Sequence, residues 1–399
     1  MKKRLELKNK VLLLDGAMGT ELHKAGLPDG TCPETWIIDH PEKVVGIHQS
    51  YISAGAEAIL VPSFGANSLK LKEFAINGKT AEINRELVAI TKKTVGKKKI
   101  LIGGDIGPSG QMIRPGGNLE FEDAVNAFKE QVKALAEANV DFFMIETMLD
   151  IQEARAALIA VKETCPSIPA IVSMTFSDQN RTLSGTPPCA AVVTLQSLGA
   201  EAVGANCSMG PDMLIPIVME MRRYAKVPIS VKPNAGLPKL VKGHTVFDMQ
   251  AEEFAKFALD LLNKGASIIG GCCGTTPLHI KKLSEKIRNI KISHPKMEFS
   301  SAISSSRKTI SFSSGVPIKV IGERINPTGK KNLRDELLKP IFKELRKLAV
   351  QQEMKGADLL DINVGAPGCD EKTVLPTAVT EATCVSGLPL CIDSSDPEA

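Results

Sequence analysis

Aromatic residues are scarce in this chain of 399 residues, at 4% of the total with a single tryptophan. That scarcity argues against an all-β shell, whose strands draw on aromatic side chains, and favours alternating strands and helices. No apolar stretch approaches the roughly 18 uninterrupted residues of a membrane span. The amino terminus, MKKRLELKNKVLLLDG, is basic, but its brief apolar run breaks at Asp15, so no secretion signal is expected. Charge of one sign is also lacking: the formal net charge of +4 is spread along the chain apart from Lys97 to Lys99, and nucleic acid is not an expected partner. The turn DGAMGT after the first strand-like run lacks the glycine spacing of a dinucleotide fingerprint, which weighs against an open doubly wound sheet. Nine cysteines, an odd number with no secretion signal, exclude a full disulfide framework and imply reduced thiols in a soluble, cytoplasmic protein.

What is present is alternation. From residue 11 to about 290, short β-branched runs alternate with stretches of helical period. Eight strands are expected: VLLLD near 11–15, AILVP near 58–62, KILIGGD near 99–105, DFFMIET near 141–147, AIVSMTF near 170–176, AVGANC near 202–207, PISVKP near 228–233 and SIIGGCC near 267–273. Eight βα units in under 300 residues specify a closed (β/α)8 barrel over residues 1–292. Serine-rich residues 293–315 break the alternation and read as a linker. Residues 316–399 then begin a second barrel that is incomplete here: a strand in VIGERINPTG, a helical stretch from Leu333 to Lys355, and strands in ADLLDINVG and PLCIDSSDPEA. The chain is therefore expected to be a piece of a longer protein.

Reactive groups of a βα barrel lie at the carboxyl ends of its strands. That rule selects Asp15 and Gly16, Pro62 with Phe64 and Asn67, Asp105, Glu146, Thr175, Asn206 with Cys207, Pro233 with Asn234, and Cys272 with Cys273. Strands six and eight are separated only by strand seven, so the thiols of Cys207, Cys272 and Cys273 can converge. Three thiolates leave one position of a tetrahedral zinc open, as in a catalytic site. Adjacent residues on a strand point to opposite faces, but the glycines flanking Cys272 and Cys273 permit the dihedrals that turn both sulfurs one way. Two other readings stand beside this one: small buried cysteines, and a phosphate cradle in GGCCGTTP. Asn234 offers an amide oxygen for the open metal position, or simply caps the turn in KPNAG.

Three blocks, LLDGAMGTEL from Leu13 to Leu22, GANCSMGP from Gly204 to Pro211 and GGCCGTTP from Gly270 to Pro277, resemble the zinc-dependent homocysteine methyltransferases and, more closely, the amino-terminal half of the cobalamin-dependent methionine synthases. The resemblance implies that Cys207, Cys272 and Cys273 are the zinc ligands. It places Asp15 and Gly16 in the loop that holds the substrate amino acid, and Glu146 opposite the substrate's amino group. With the backbone amides of Ala17 and Met18 beside Gly16, this loop is expected to bind the carboxylate, while Glu146 has the alternative of a structural ion pair. GERIN with Asn326, DINVG with Asp361 and Asn363, and CIDSS with Asp393 resemble the first strands of pterin-binding barrels, which implies a folate partner, methyltetrahydrofolate, as the ultimate methyl source. No DxHxxG-type segment occurs, so a cobalamin-binding domain carrying methylcobalamin is expected outside this chain. Betaine or S-methylmethionine as donor, and a structural zinc barrel without turnover, are the alternatives.

Overall fold

The computed structural model of the chain describes residues 10–241, 244–288, 290, 296–299, 301–313 and 315–399. They fall into two compact units, the first ending at Glu298 and the second starting at Phe299.

The first unit contains the eight expected strands: Leu12–Leu13, Ala58–Leu60, Leu101–Ile106, Phe142–Met148, Ala170–Met174, Ala202–Asn206, Ile229–Lys232 and Ala266–Ile269. Each is parallel to its neighbours, strand eight pairs with both seven and one, and a bridge from Leu14 to Ala58 brings strand one against strand two. The result is a nearly closed eight-stranded parallel barrel. Alternating residues face inward, so Leu12, Leu14, Ala58, Leu60, Phe142, Met144, Ile171, Ala202 and Ile268 form one buried cluster. Intervening residues such as Leu13, Ile59 and Phe143 are equally buried. Strands covered on both faces thus read as continuous apolar runs rather than alternating ones. Helices such as Thr80–Val95, Phe121–Glu137 and Ile151–Thr164 connect the strands.

At the amino-terminal end of the barrel, acidic residues fix the register. Glu57, Asp141 and Glu201 stand just before strands two, four and six, and their carboxylates accept the backbone N–H groups of Leu13, Ile102 and Ala170 on the preceding strands at 3.1, 3.0 and 2.7 Å. Strand eight ends at Ile269, four residues short of its expected limit, although Gly270 N–H still donates to the Val231 carbonyl of strand seven at 3.1 Å. After strand seven an unforeseen small hairpin pairs Lys239–Val241 with His244–Val246. Among the described residues no helix is long and apolar enough to cross a membrane.

In the second unit, parallel strands Ile321–Ile325, Leu359–Asn363 and Leu390–Asp393 form one sheet, with Lys331–Leu337, Lys343–Met354 and Glu371–Val385 as its helices. Two corrections follow. The helical stretch expected from Leu333 to Lys355 is two helices, interrupted around Pro340, which cannot donate to a helix ladder. The segment expected to be a linker over 293–315 contains an antiparallel hairpin, Ser301–Ser304 with Thr309–Phe312. Its serines hid a β pattern in which Ile310 is buried and Ser305 Oγ bonds the carbonyl of Gly387 at 2.7 Å. Residues 293–295, 300 and 314 of that linker lie outside the described residues.

Candidate metal centre and adjoining cavity

The mouth of the first barrel gathers the three expected thiols. Cys207 follows the last residue of strand six, and its N–H donates to the carbonyl of Lys232 on strand seven at 3.1 Å. Cys207 and the next residue, Ser208, have φ of +63° and +59°. This left-handed backbone is uncommon outside glycine and re-aims the thiol at the end of a regular strand. The other two thiols sit in a loop held from both sides: Gly271 N–H donates to the Asp15 carbonyl at 2.9 Å, Cys272 N–H to the Pro233 carbonyl at 2.7 Å, and Ala235 N–H to the Cys273 carbonyl at 2.9 Å.

The glycines of this loop act differently from expectation. Of Gly270, Gly271 and Gly274, only Gly274 takes a positive φ, +79°. Gly270 and Gly271 are required by close approach: a Cβ would stand 2.7 Å from the Asp15 carbonyl oxygen in one case and 2.2 Å from Thr275 Oγ1 in the other. Left-handed strain lies at Cys207 and Ser208 instead.

The sulfurs of Cys207, Cys272 and Cys273 all lie within 4.8 Å of one another, with Cys207 and Cys273 at 3.9 Å. A tetrahedron with metal–sulfur bonds of about 2.3 Å has edges of about 3.8 Å, so the spacing fits a metal at its centre. Hydrogen bonds from the Cys272 and Cys273 thiols pull Cys207 down to about 3. The same contacts push Cys272 up to about 11 and Cys273 higher still. Crowding thus opposes ionising all three thiols together, and a cation is what would favour three thiolates.

Beside the sulfurs lies a cavity of about 250 Å³, lined also by Asp15, Gly16, Ala17, Met18, Glu34, Phe64, Asp105, Glu146, Thr147 and Lys232. Glu146 and Lys232 form a buried ion pair, Oε2 to Nζ at 2.7 Å. The structural-pair alternative for Glu146 is therefore realised, while the residue still faces the cavity. Lys232 was missed in the sequence because its partner lies on another strand, 86 positions away. Burial raises Asp15 to about 7 against the opposing charge of Lys232 and the N–H bond from Leu60 to its Oδ2. Burial, with the charge of Glu146, holds Asp105 well above the carboxylate range. Burial raises Glu146 too, against Lys232. Burial alone would lower Lys232, but Glu146, Asp15 and Asp105 together raise it.

The first loop is less open than expected. Ala17 N–H is already donated to Thr275 Oγ1 at 3.0 Å, so it is withdrawn from the expected carboxylate donors. The N–H groups of Gly16 and Met18 have no hydrogen-bond partner among the described residues. Tyr51, overlooked in the sequence, clamps this loop to the last one by donating to the carbonyls of Ala17 and Thr275 at 2.8 and 3.1 Å. Asn234 is buried; its N–H donates to Met209, and its Oδ1 has no partner among the described residues. Asn206 fills a structural role the strand-end rule did not specify: its amide accepts from Thr147 N–H at 2.8 Å and donates to Thr147 Oγ1 at 2.7 Å. That grip holds Thr147 at a φ of +62° next to Glu146. Asn67 caps the short helix Ser68–Lys72 and does not line the cavity.

The strand-end residues of the second unit form no comparable buried cluster. Asn363 donates to Asp393 at 2.8 Å, Asp361 pairs in register with Cys391, and Asn326 bonds locally to Glu323 at 2.8 Å. Burial raises Asp361, partly offset by a hydrogen bond from Cys391.

Comparison with known proteins decides the family. The homocysteine S-methyltransferase family description matches residues 12–287, the whole span of the barrel. The chain belongs to the homocysteine S-methyltransferase family. Among curated relatives of this family member, the methionine synthases of Mycobacterium tuberculosis and Mycobacterium leprae are 28% and 27% identical over 407 and 412 aligned positions. Each alignment covers 98% of this chain and 34% of the relative, so the chain spans about a third of their length. Among solved structures, the metallated and oxidised forms of the Escherichia coli homocysteine methyltransferase MmuM align at TM-scores of 0.59 and 0.60 with 24% identity. They cover 70% and 71% of this chain and 97% and 98% of theirs, a likeness that bears on the fold.

Proposed function

We propose that this methyltransferase binds one zinc ion through Cys207, Cys272 and Cys273 and presents homocysteine as a thiolate that accepts a methyl group, giving methionine. The observation that carries the reading is the trio of sulfurs within 4.8 Å of one another on the wall of a cavity that also holds buried carboxylates. A free thiol with pKa near about 8.5 is mostly protonated at neutral pH, and only the thiolate is a good nucleophile. Zinc supplies the charge that keeps the substrate sulfur deprotonated, while three anionic ligands keep that sulfur electron-rich.

The chain's own residues position the amino acid. Asp15 and Glu146 accept from its ammonium, and the N–H groups of Gly16 and Met18 donate to its carboxylate. Asn234, with an unpartnered Oδ1 in a buried setting, would offer an oxygen to the metal when homocysteine is not bound. The methyl donor in this reading is methylcobalamin on a domain outside the chain, replenished from methyltetrahydrofolate. Residues 316–399 form the first part of a pterin-binding barrel, in which Asn326, Asp361, Asn363 and Asp393 recognise folate. Relatives named methionine synthase that align over 98% of the chain, both units included, favour this donor over betaine or S-methylmethionine. Nine free thiols suit a reducing, cytoplasmic setting.

Zinc X-ray absorption with and without homocysteine tests the proposal. Three sulfurs and one oxygen becoming four sulfurs is the expected result; an unchanged four-ligand site sinks it and leaves a structural zinc barrel. Methionine formation on supplying methylcobalamin, S-methylmethionine or betaine then separates the donors.

A further inference from the structure

We propose that Asp105 is a third acid of the subsite for the substrate's amino group, joining Asp15 and Glu146 to form a pocket selective for a primary ammonium. The inference rests on the homocysteine reading above and deepens it.

Buried carboxylates with a structural task have clear partners in this barrel. Glu153 accepts the N–H and Oγ–H of Ser109 at 2.7 and 2.6 Å, fixing the loop after strand three. Glu34 accepts Gly65 N–H at 2.7 Å and the Cys32 thiol at 3.3 Å. Asp105 differs. Its backbone carbonyl is locked by Ser63 Oγ at 2.8 Å, yet its Oδ1 has no hydrogen-bond partner among the described residues, and the residue is only 7% exposed. Asp15 is alike: Oδ2 holds Leu60 N–H at 2.9 Å, and Oδ1 is unpartnered. Both residues line the cavity, as does Glu146, whose Oε2 is engaged by Lys232.

An unpartnered carboxylate oxygen buried in a protein is costly and needs an account. Two of them lining one cavity, with a third carboxylate and a single lysine in the same lining, make a region short of hydrogen-bond donors. A primary ammonium carries one positive charge and three N–H donors, and Lys232 shows what such a group does there. The α-amino group of an amino acid thiol supplies a second one. A thiol without that amino group would leave the acids unsatisfied, which is how buried polar groups reject an analogue that lacks the matching one.

The test compares homocysteine with 4-sulfanylbutanoate, which keeps the thiol, chain and carboxylate but lacks the amino group. Both are titrated calorimetrically into the zinc-loaded protein and its Asp105→Asn variant. The variant is expected to bind homocysteine roughly 10- to 100-fold more weakly, the range for one charge-assisted hydrogen bond, with binding of 4-sulfanylbutanoate unchanged or tighter. Its thermal midpoint without ligand should equal or exceed the parent's, because Asp105 Oδ1 makes no hydrogen bond that the change would break. Equal loss of both ligands, no loss of either, or a lowered midpoint overturns the assignment of Asp105. A parent protein that binds neither thiol overturns the underlying homocysteine reading instead.

Discussion

The two units of this chain place similar polar residues at similar points, the carboxyl ends of parallel strands, with opposite results. In the first, Asp15, Asp105 and Glu146 are buried around Lys232, and two carboxylate oxygens lack partners. In the second, Asn363 and Asp393 satisfy each other at 2.8 Å and Asp393 is exposed. Strand-end position therefore selects candidates but does not make a site. What separates the two is closure: a surrounding ring of loops strips water from the acids, and low dielectric turns ordinary carboxylates into a charge cluster with unusual protonation.

The strongest way to break the contrast is to remove the one buried cation. Lys232→Met leaves three buried acids uncompensated and should lower stability by about 3–5 kcal/mol, read by urea unfolding at pH 8. The loss should shrink at pH 5, where the raised acids take up protons and the repulsion fades. A smaller effect isolates Asp15. Its folded pKa, about 7, lies above the ordinary 3.8, so the folded protein holds an extra proton between these values. That contribution to stability is complete below about pH 4 and is lost as pH rises through 7. Asp15→Asn should flatten this part of the pH–stability curve of homocysteine-free protein, a difference on the order of a few kcal/mol; parallel curves for parent and variant would refute it. The least effect is expected in the second unit. Asp393→Asn removes one exposed charge and should change stability by no more than about 0.5 kcal/mol at either pH. A larger loss would mean that this acid is as embedded as those of the barrel.

Barrel and thiols were legible in the sequence because both rest on local pattern. Eight apolar runs at regular spacing specify strands, and the strand-end rule then converts Cys207, Cys272 and Cys273 into neighbours. Residues whose meaning depends on a distant partner were not legible. Lys232 reads as a lone cation within PISVKP until Glu146 is set against it, and Tyr51 lies in a helix far from both carbonyls it holds. Ala17 reads as a free amide donor until Thr275 Oγ1 occupies it. Local strain was equally hidden, since glycines advertise unusual dihedrals whereas Cys207, Ser208 and Thr147 adopt them without announcing it. The hairpin from Ser301 to Phe312 was obscured by composition, because serine marks turns more often than strands.

Carboxylates at the other pole of the barrel carry a different consequence. Glu57, Asp141 and Glu201 each saturate a strand-opening amide, so the stagger of the staves is set at the end remote from the cavity. At the mouth, Asp15 likewise accepts the Leu60 N–H of strand two. Changes to mouth loops that spare Asp15 should therefore leave the strands beneath in place, which makes the two poles of this unit separable targets for engineering: one for durability, the other for choice of substrate.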